Sequence, residues 1–223
     1  MADTIAYAKK KGMFVITDGK RNDIGSTMQA YADAHLGSVA VGSRQLVPFG
    51  ADALTVNGYL GTDGIAPLAK VCAEQDGGMF VLVKTSNPSS GELQDRQLEG
   101  QALYAAMGAM CEQWGSSVMG RYGYSAVGAV VGATYPEQLA QLRKAMPHTF
   151  FLVPGYGAQG GGAKDVAGAF DANGLGAVVN SSRAVLTAWQ KQGRPGSEYA
   201  TAAREEALRM RDDITQYLPE IKL

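Results

Sequence analysis

Cysteine and histidine are scarce, with two of each in 223 residues. Cys72 and Cys111 fall in helix-like stretches without metal-ligand spacing, so they read as buried reduced thiols. His35 and His148 lie far apart in the chain and read as solvated or helix-surface residues, which leaves no metal-ligand cluster. Net charge is nearly absent too: 20 basic against 21 acidic residues leave −1. That balance excludes bulk affinity for nucleic acid or membrane and leaves open a local pocket for one small anion. No apolar run approaches a membrane span, and the N-terminus lacks the apolar core of a signal peptide, so the expected compartment is the cytoplasm. Linkers, repeats and low-complexity tracts are missing as well, and the length predicts one domain over residues 1–223.

What is present is an alternation of strand and helix. The apolar, β-branched runs 13–18, 53–57, 79–86, 127–133, 150–154 and 176–181 read as parallel strands covered by other elements. Helical spacing fills the intervals. It covers 63–76 with Asp63 as N-cap, 92–114 through Leu103, Met107, Met110 and Trp114, 136–146 opened by Pro136, 182–192, and 198–218 from Tyr199 to Tyr217. Six βα units predict an α/β fold of the TIM (β/α)8 type, here incomplete. Residues 3–11 read as a helix closed by Gly12 with no strand before it, so the simplest account is a barrel lacking its first strand–helix–strand. An open doubly wound sheet of six strands is the alternative.

The chemistry concentrates at the ends of these strands. Met13 to Ile16 read as a buried strand that delivers Asp18, Lys20 and Asp23 within six positions. Strand residues two apart point the same way, so Asp18 and Lys20 should emerge side by side. A lysine held by carboxylates can donate a proton to a carbanion as it forms, although a surface ion-pair cluster has the same spacing. The other strand ends are Asn57, Lys84 to Pro88, Thr134, Pro154 to Gly162 and Asn180 to Arg183. Two of them suggest a phosphate site: the glycine-rich loop 154–162, with backbone N–H groups to offer, and Arg183, which opens a helix.

These residues resemble the orotidine 5'-phosphate decarboxylases, specifically the longer bacterial subgroup. The resemblance rests on D-x-K-x-x-D at Asp18-Gly19-Lys20-Arg21-Asn22-Asp23, with Ile24-Gly25-Ser26-Thr27 and Tyr31-Ala32 after it. It extends to VKTSNPSSGELQD (83–95), FLVPGYGAQGG (151–161) and VVNSSR (178–183), and covers residue 3 to about 190. It implies decarboxylation of orotidine 5'-monophosphate to UMP and CO2 in pyrimidine biosynthesis, with no cofactor and no metal. Lys20 would protonate C6 of the pyrimidine, and Asp18 would lie near the substrate carboxylate and orient Lys20. Asp23 and Thr27 would reach into the neighbouring subunit's site, which implies a homodimer. Ser86 would hydrogen-bond the pyrimidine, Pro154 opens the closing loop, and Gln159 and Arg183 would grip the phosphate. Gly19 and Asn22 stand where the family usually has small residues such as Ala and Gly, and neither alters a catalytic group. The family's first two strands supply an aspartate for the ribose and a lysine for the charged network, and neither has a counterpart here. Weak or absent activity, and a tendency to associate through an open seam between the strands beginning at 13 and 176, are therefore expected. The alternatives are an Mg2+-dependent sugar-phosphate decarboxylase or synthase of the same superfamily, and a nucleotide-binding fragment that does not turn over.

Overall fold

The computed structural model describes residues 1–157 and 160–221. Helix α1 (Ala2–Lys10) leads to strand β1 (Ile16–Arg21), α2 (Gly25–His35), a hairpin of β2 (Val39–Val41) and β3 (Arg44–Leu46), β4 (Ala53–Val56), α3 (Thr62–Gln75) and β5 (Gly78–Lys84). A 3-10 turn (Pro88–Ser90), α4 (Gly91–Gln94) and a second hairpin, β6 (Gln97–Leu98) with β7 (Gln101–Ala102), precede α5 (Leu103–Gly115). The chain then runs through β8 (Val127–Val131), α6 (Pro136–Ala145), β9 (Phe151–Val153), α7 (Ala163–Ala167), β10 (Ala177–Val179), α8 (Ser182–Leu186), α9 (Ala188–Lys191) and α10 (Tyr199–Thr215).

Six strands form one parallel sheet in the order β1-β4-β5-β8-β9-β10. Each strand lies beside its predecessor, and the order never reverses. A doubly wound sheet reverses at a switch point, so that alternative is excluded. Side-chain alternation sorts the strand residues into two layers. Leu54, Val56, Val81, Val83, Ala129, Val131, Phe151 and Val153 form the outer core with Ile65, Leu68 and Cys72 of α3 and Leu139 and Leu142 of α6. Each fully buried side chain of this size contributes about 1.5–3 kcal/mol. Ala53, Phe80, Val130 and Leu152 form a second cluster on the opposite face, joined by Ile16, Leu82 and Phe150. Ile16 of β1 and Asn180 just after β10 line the same cleft, so the sheet curves around it as part of a barrel wall. Among the described residues no helix is long and apolar enough to cross a membrane.

Several boundaries differ from the sequence reading. Met13 and Phe14 are exposed, at 64% and 68%, rather than buried. The strand starts only where Val15 is pinned by Asp52, whose Oδ2 accepts its N–H at 2.7 Å. Residues 92–114 are not one helix: Glu99 (φ 50°) and Gly100 (φ 85°) turn the second hairpin before α5 begins. Gly61, not Asp63, is the N-cap of α3, and Asp63 sits in its first turn. Helix 182–192 is split into α8 and α9. In α10 the core side is Ala202, Met210 and Ile214, while Tyr199 at its start and Tyr217 just beyond its end are exposed. His35 is buried against the Phe49 ring, 5.1 Å between centroids; desolvation, then the Arg21 charge, pushes its pKa down.

Candidate active site

The C-terminal strand ends surround a cleft of about 740 Å³. Its floor is Ile16, Leu82, Val130 and Leu152, and its rim is Asp18, Lys20, Thr55, Thr85, Ser86, Asn87, Gln94, Pro154, Asn180 and Ser182. An apolar floor beneath convergent polar groups is the usual form of a small-molecule site. A second, apolar cavity of about 510 Å³ opens at the other end of the strands, lined by Phe14, Phe80, Tyr124 and Phe150 among others. It carries none of the predicted site residues.

Asp18 and Lys20 stand side by side as expected: Lys20 Nζ donates to Asp18 Oδ1 at 2.6 Å. Thr55 Oγ1 donates to the same oxygen at 2.8 Å. Partial burial alone raises the Asp18 pKa, but the hydrogen bonds from Lys20 and Thr55, with the Lys20 charge, outweigh it and hold the group below its ordinary value. Asp23 takes no part in this pair. Its Oδ1 accepts the Ile24 N–H at 2.8 Å as the chain enters α2, and among the described residues it forms no ion pair. Lys20 is therefore held by one carboxylate, not flanked by two. Thr27 is exposed on the first turn of α2.

The segment after β5 supplies Thr85, Ser86 and Asn87 to the rim, but Lys84 turns away from it. A register shift between Leu82 and Lys84 puts the lysine beneath the segment, fully buried. There its Nζ meets Asp95 Oδ1 at 2.7 Å and lies 4.5 Å from the Tyr135 ring centroid. Gln94 closes the segment above, accepting the Thr85 N–H at 2.9 Å and donating to Thr85 Oγ1 at 2.8 Å. Thr134 Oγ1 donates to the Ser86 carbonyl at 3.2 Å. Gly132 lets the two strands approach: a Cβ there would lie 2.8 Å from Ser86 Cβ. Asn57 stays outside the rim; its carbonyl accepts from Asn22 Nδ2, and its Oδ1 accepts the Tyr59 N–H at 2.8 Å.

A recess of about 90 Å³ adjoins the cleft through Pro154, Asn180 and Ser182, and adds Gly155, Tyr156, Ser181 and Arg183. The base of the glycine-rich loop is closed by Gly157 N–H to the Gly161 carbonyl (2.8 Å) and Gly161 N–H to the Gly155 carbonyl (3.1 Å). Tyr156 ties this base to α10, donating to Asp213 Oδ2 at 2.6 Å. Arg183 is exposed beside the recess, on a helix of only five residues, so its guanidinium rather than a helix dipole dominates the local field. Gln159 lies outside the described residues. Thr55 and Gln94 are the rim residues that sequence reasoning missed; the signal for Thr55 was one hydroxyl in the otherwise apolar run 53–56, and Gln94 lies past the end of β5 on α4. Among the described residues no three His, Cys, Asp or Glu side chains gather as a metal site.

The chain is 53% identical over 205 residues to an orotidine 5'-phosphate decarboxylase of Rhodopirellula baltica, covering 92% of this chain and 65% of that protein. It is 46% identical over 184 residues to one of Caldicellulosiruptor bescii, covering 82% of this chain and 60% of the relative. It therefore spans less than two thirds of the length of these relatives. A solved structure of Leishmania donovani OMP decarboxylase superposes with a TM-score of 0.69 at 32% identity, covering 92% of this chain and 70% of that one. Residues 2–193, which hold both the Asp18–Lys20 pair and the Arg183 recess, match one family model, and the chain belongs to the orotidine 5'-phosphate decarboxylase / HUMPS family.

Proposed function

We propose that this chain carries the site of an orotidine 5'-phosphate decarboxylase, a carboxy-lyase of pyrimidine biosynthesis. The observation that carries the reading is the Lys20–Asp18 contact of 2.6 Å on the rim of a cleft that runs on into the Arg183 recess. The bond from C6 of the pyrimidine to the carboxylate carbon breaks, CO2 leaves, and the electron pair stays on C6. Lys20 Nζ gives its proton to C6 to yield UMP, and is reprotonated from water. Asp18 directs the ammonium and disfavours a second negative charge beside it. Ser86 contacts the pyrimidine, while Pro154, Gln159 and Arg183 close on the 5'-phosphate, whose remote binding energy favours a closed, water-poor site. Asp23 and Thr27 serve the neighbouring subunit of a cytoplasmic homodimer; the exposure of Thr27 and the absence of an Asp23–Lys20 contact support that assignment.

The test is UMP formation from orotidine 5'-monophosphate by the purified chain, with and without a chelator. Chelator-insensitive turnover, lost in Lys20→Ala, is expected. Chelator-sensitive turnover of a sugar phosphate in its place identifies the Mg2+-dependent branch of the family. UMP binding by calorimetry without turnover identifies a binding fragment. Either of the last two outcomes overturns the proposal.

A further inference from the structure

The pairing of β1 with β4 is irregular where the chemistry sits. Thr17 is opposite Leu54 and Arg21 is opposite Val56, so Asp18, Gly19 and Lys20 together face the single residue Thr55. A bulge of this kind bends the strand and re-aims its side chains. It also breaks the backbone ladder, and the Lys20 N–H goes instead to Thr55 Oγ1 at 3.0 Å. Lys20 holds φ at +48°, a left-handed conformation rare for residues with a Cβ. Thr55 is 1% exposed, and its β-branched side chain has few χ1 choices. Its one hydroxyl thus accepts from the Lys20 backbone and donates to Asp18 Oδ1, the oxygen that also receives Lys20 Nζ.

We propose that Thr55 is a positioning residue: from inside the wall it holds the bulge that aims the Lys20 ammonium and fixes the carboxylate that receives it. Its kinetic consequence rests on the decarboxylase reading; its structural consequence does not. Thr55 is almost fully buried and its hydroxyl is taken up by the Lys20 N–H and Asp18 Oδ1, so substrate meets the exposed rim groups and the recess instead, and losing the hydroxyl leaves binding largely intact while disordering the proton donor. The lowered Asp18 pKa, to which Thr55 contributes, agrees with a strong hydrogen bond here.

The test compares Thr55→Val, which keeps the branched shape and removes the hydroxyl, with Thr55→Ser, which keeps the hydroxyl. Thr55→Val is expected to lower kcat roughly ten- to hundredfold, the effect of losing a hydrogen bond to a charged group, with KM within about threefold of the parent. Thr55→Ser is expected to recover most of that loss. Two readouts need no turnover. In Thr55→Val the Lys20 amide proton exchanges faster and the Asp18 carboxyl titrates at higher pH by NMR, while Thr55→Ser matches the parent in both. Unchanged amide exchange and Asp18 titration in Thr55→Val overturn the proposal, as does a change confined to KM. A parent chain that converts no orotidine 5'-monophosphate removes the decarboxylase reading, and the two NMR readouts still decide the role of Thr55.

Discussion

Replacing Asp95 by alanine is expected to destabilise the chain by about 3 kcal/mol, through the charge it leaves behind rather than the contact it removes. Lys84 has no exposed side-chain surface, and Asp95 Oδ1 at 2.7 Å is its counter-ion. Removing one member of a buried pair costs about 3–5 kcal/mol. The lower end applies because Asp95 is 39% exposed and because the Tyr135 and Tyr104 rings, 4.5 and 5.6 Å from Nζ, still face the cation. The opposite substitution, Lys84→Met, fills the same space and leaves Asp95 in reach of water, so its cost is about 1 kcal/mol. With a urea dependence of about 2 kcal/mol per molar, Asp95→Ala lowers the unfolding midpoint by about 1.5 M and Lys84→Met by about 0.5 M. The assay is urea denaturation followed by circular dichroism on the parent and both variants. Equal shifts, or a larger shift for Lys84→Met, refute the assignment of Lys84 as a buried charge dependent on Asp95. Asp95→Ala also loosens the segment that carries Ser86 and Asn87, so KM for a cleft ligand rises.

Three further outcomes follow from the same structure. Arg183→Ala is expected to raise KM for a phosphorylated substrate roughly tenfold to hundredfold while a nucleoside lacking the phosphate is bound unchanged, measured by steady-state kinetics and calorimetry. Asp18 has a pKa lowered from 3.8, so its contribution to stability is complete above that ordinary value and is lost as pH falls through the lower folded value. The difference in urea midpoint between the parent and Asp18→Asn should accordingly be constant above about pH 5 and close in more acidic buffer. Burial pushes the Cys72 thiol up to about 12 and the Cys111 thiol higher still, so both stay protonated at pH 8 and a thiol reagent should label neither until the chain unfolds.

The parts of the site that depend on local periodicity were legible in the sequence. Strand alternation predicted Asp18 and Lys20 side by side, although the contact forms through a bulge with Lys20 at φ +48° rather than along a regular strand, and the places of the glycine-rich loop and Arg183 after the last two strands predicted that they share one recess. What escaped depends on pairing between strands or on a single turn. Thr55 acquires its partners only because the β1–β4 register slips by two residues, which no composition reports. Lys84 stands in a list of strand-end polar groups, yet a bulge rotates it beneath the segment instead of into the cleft. Apolar spacing through Leu103 and Met107 suggested a helix back to residue 92, but two left-handed residues, Glu99 and Gly100, interrupt it with the hairpin of β6 and β7 between α4 and α5. His35 sits at a position that spacing alone left polar, and packing against Phe49 buried it.

The uniform strand order also bears on how the wall comes apart. Every sheet pairing joins consecutive βα units, and among the described residues β1 and β10 have sheet partners on one side only. Within this wall β5 and β8 lie innermost in the order, and β1 and β10 outermost. Amide protection against deuterium should therefore peak in β5 and β8, which have neighbours on both sides, and decline towards β1 and β10. On that gradient Lys20 lies on one of the two outermost strands, so the bulge that sets its direction opens before the strands at the middle of the wall do.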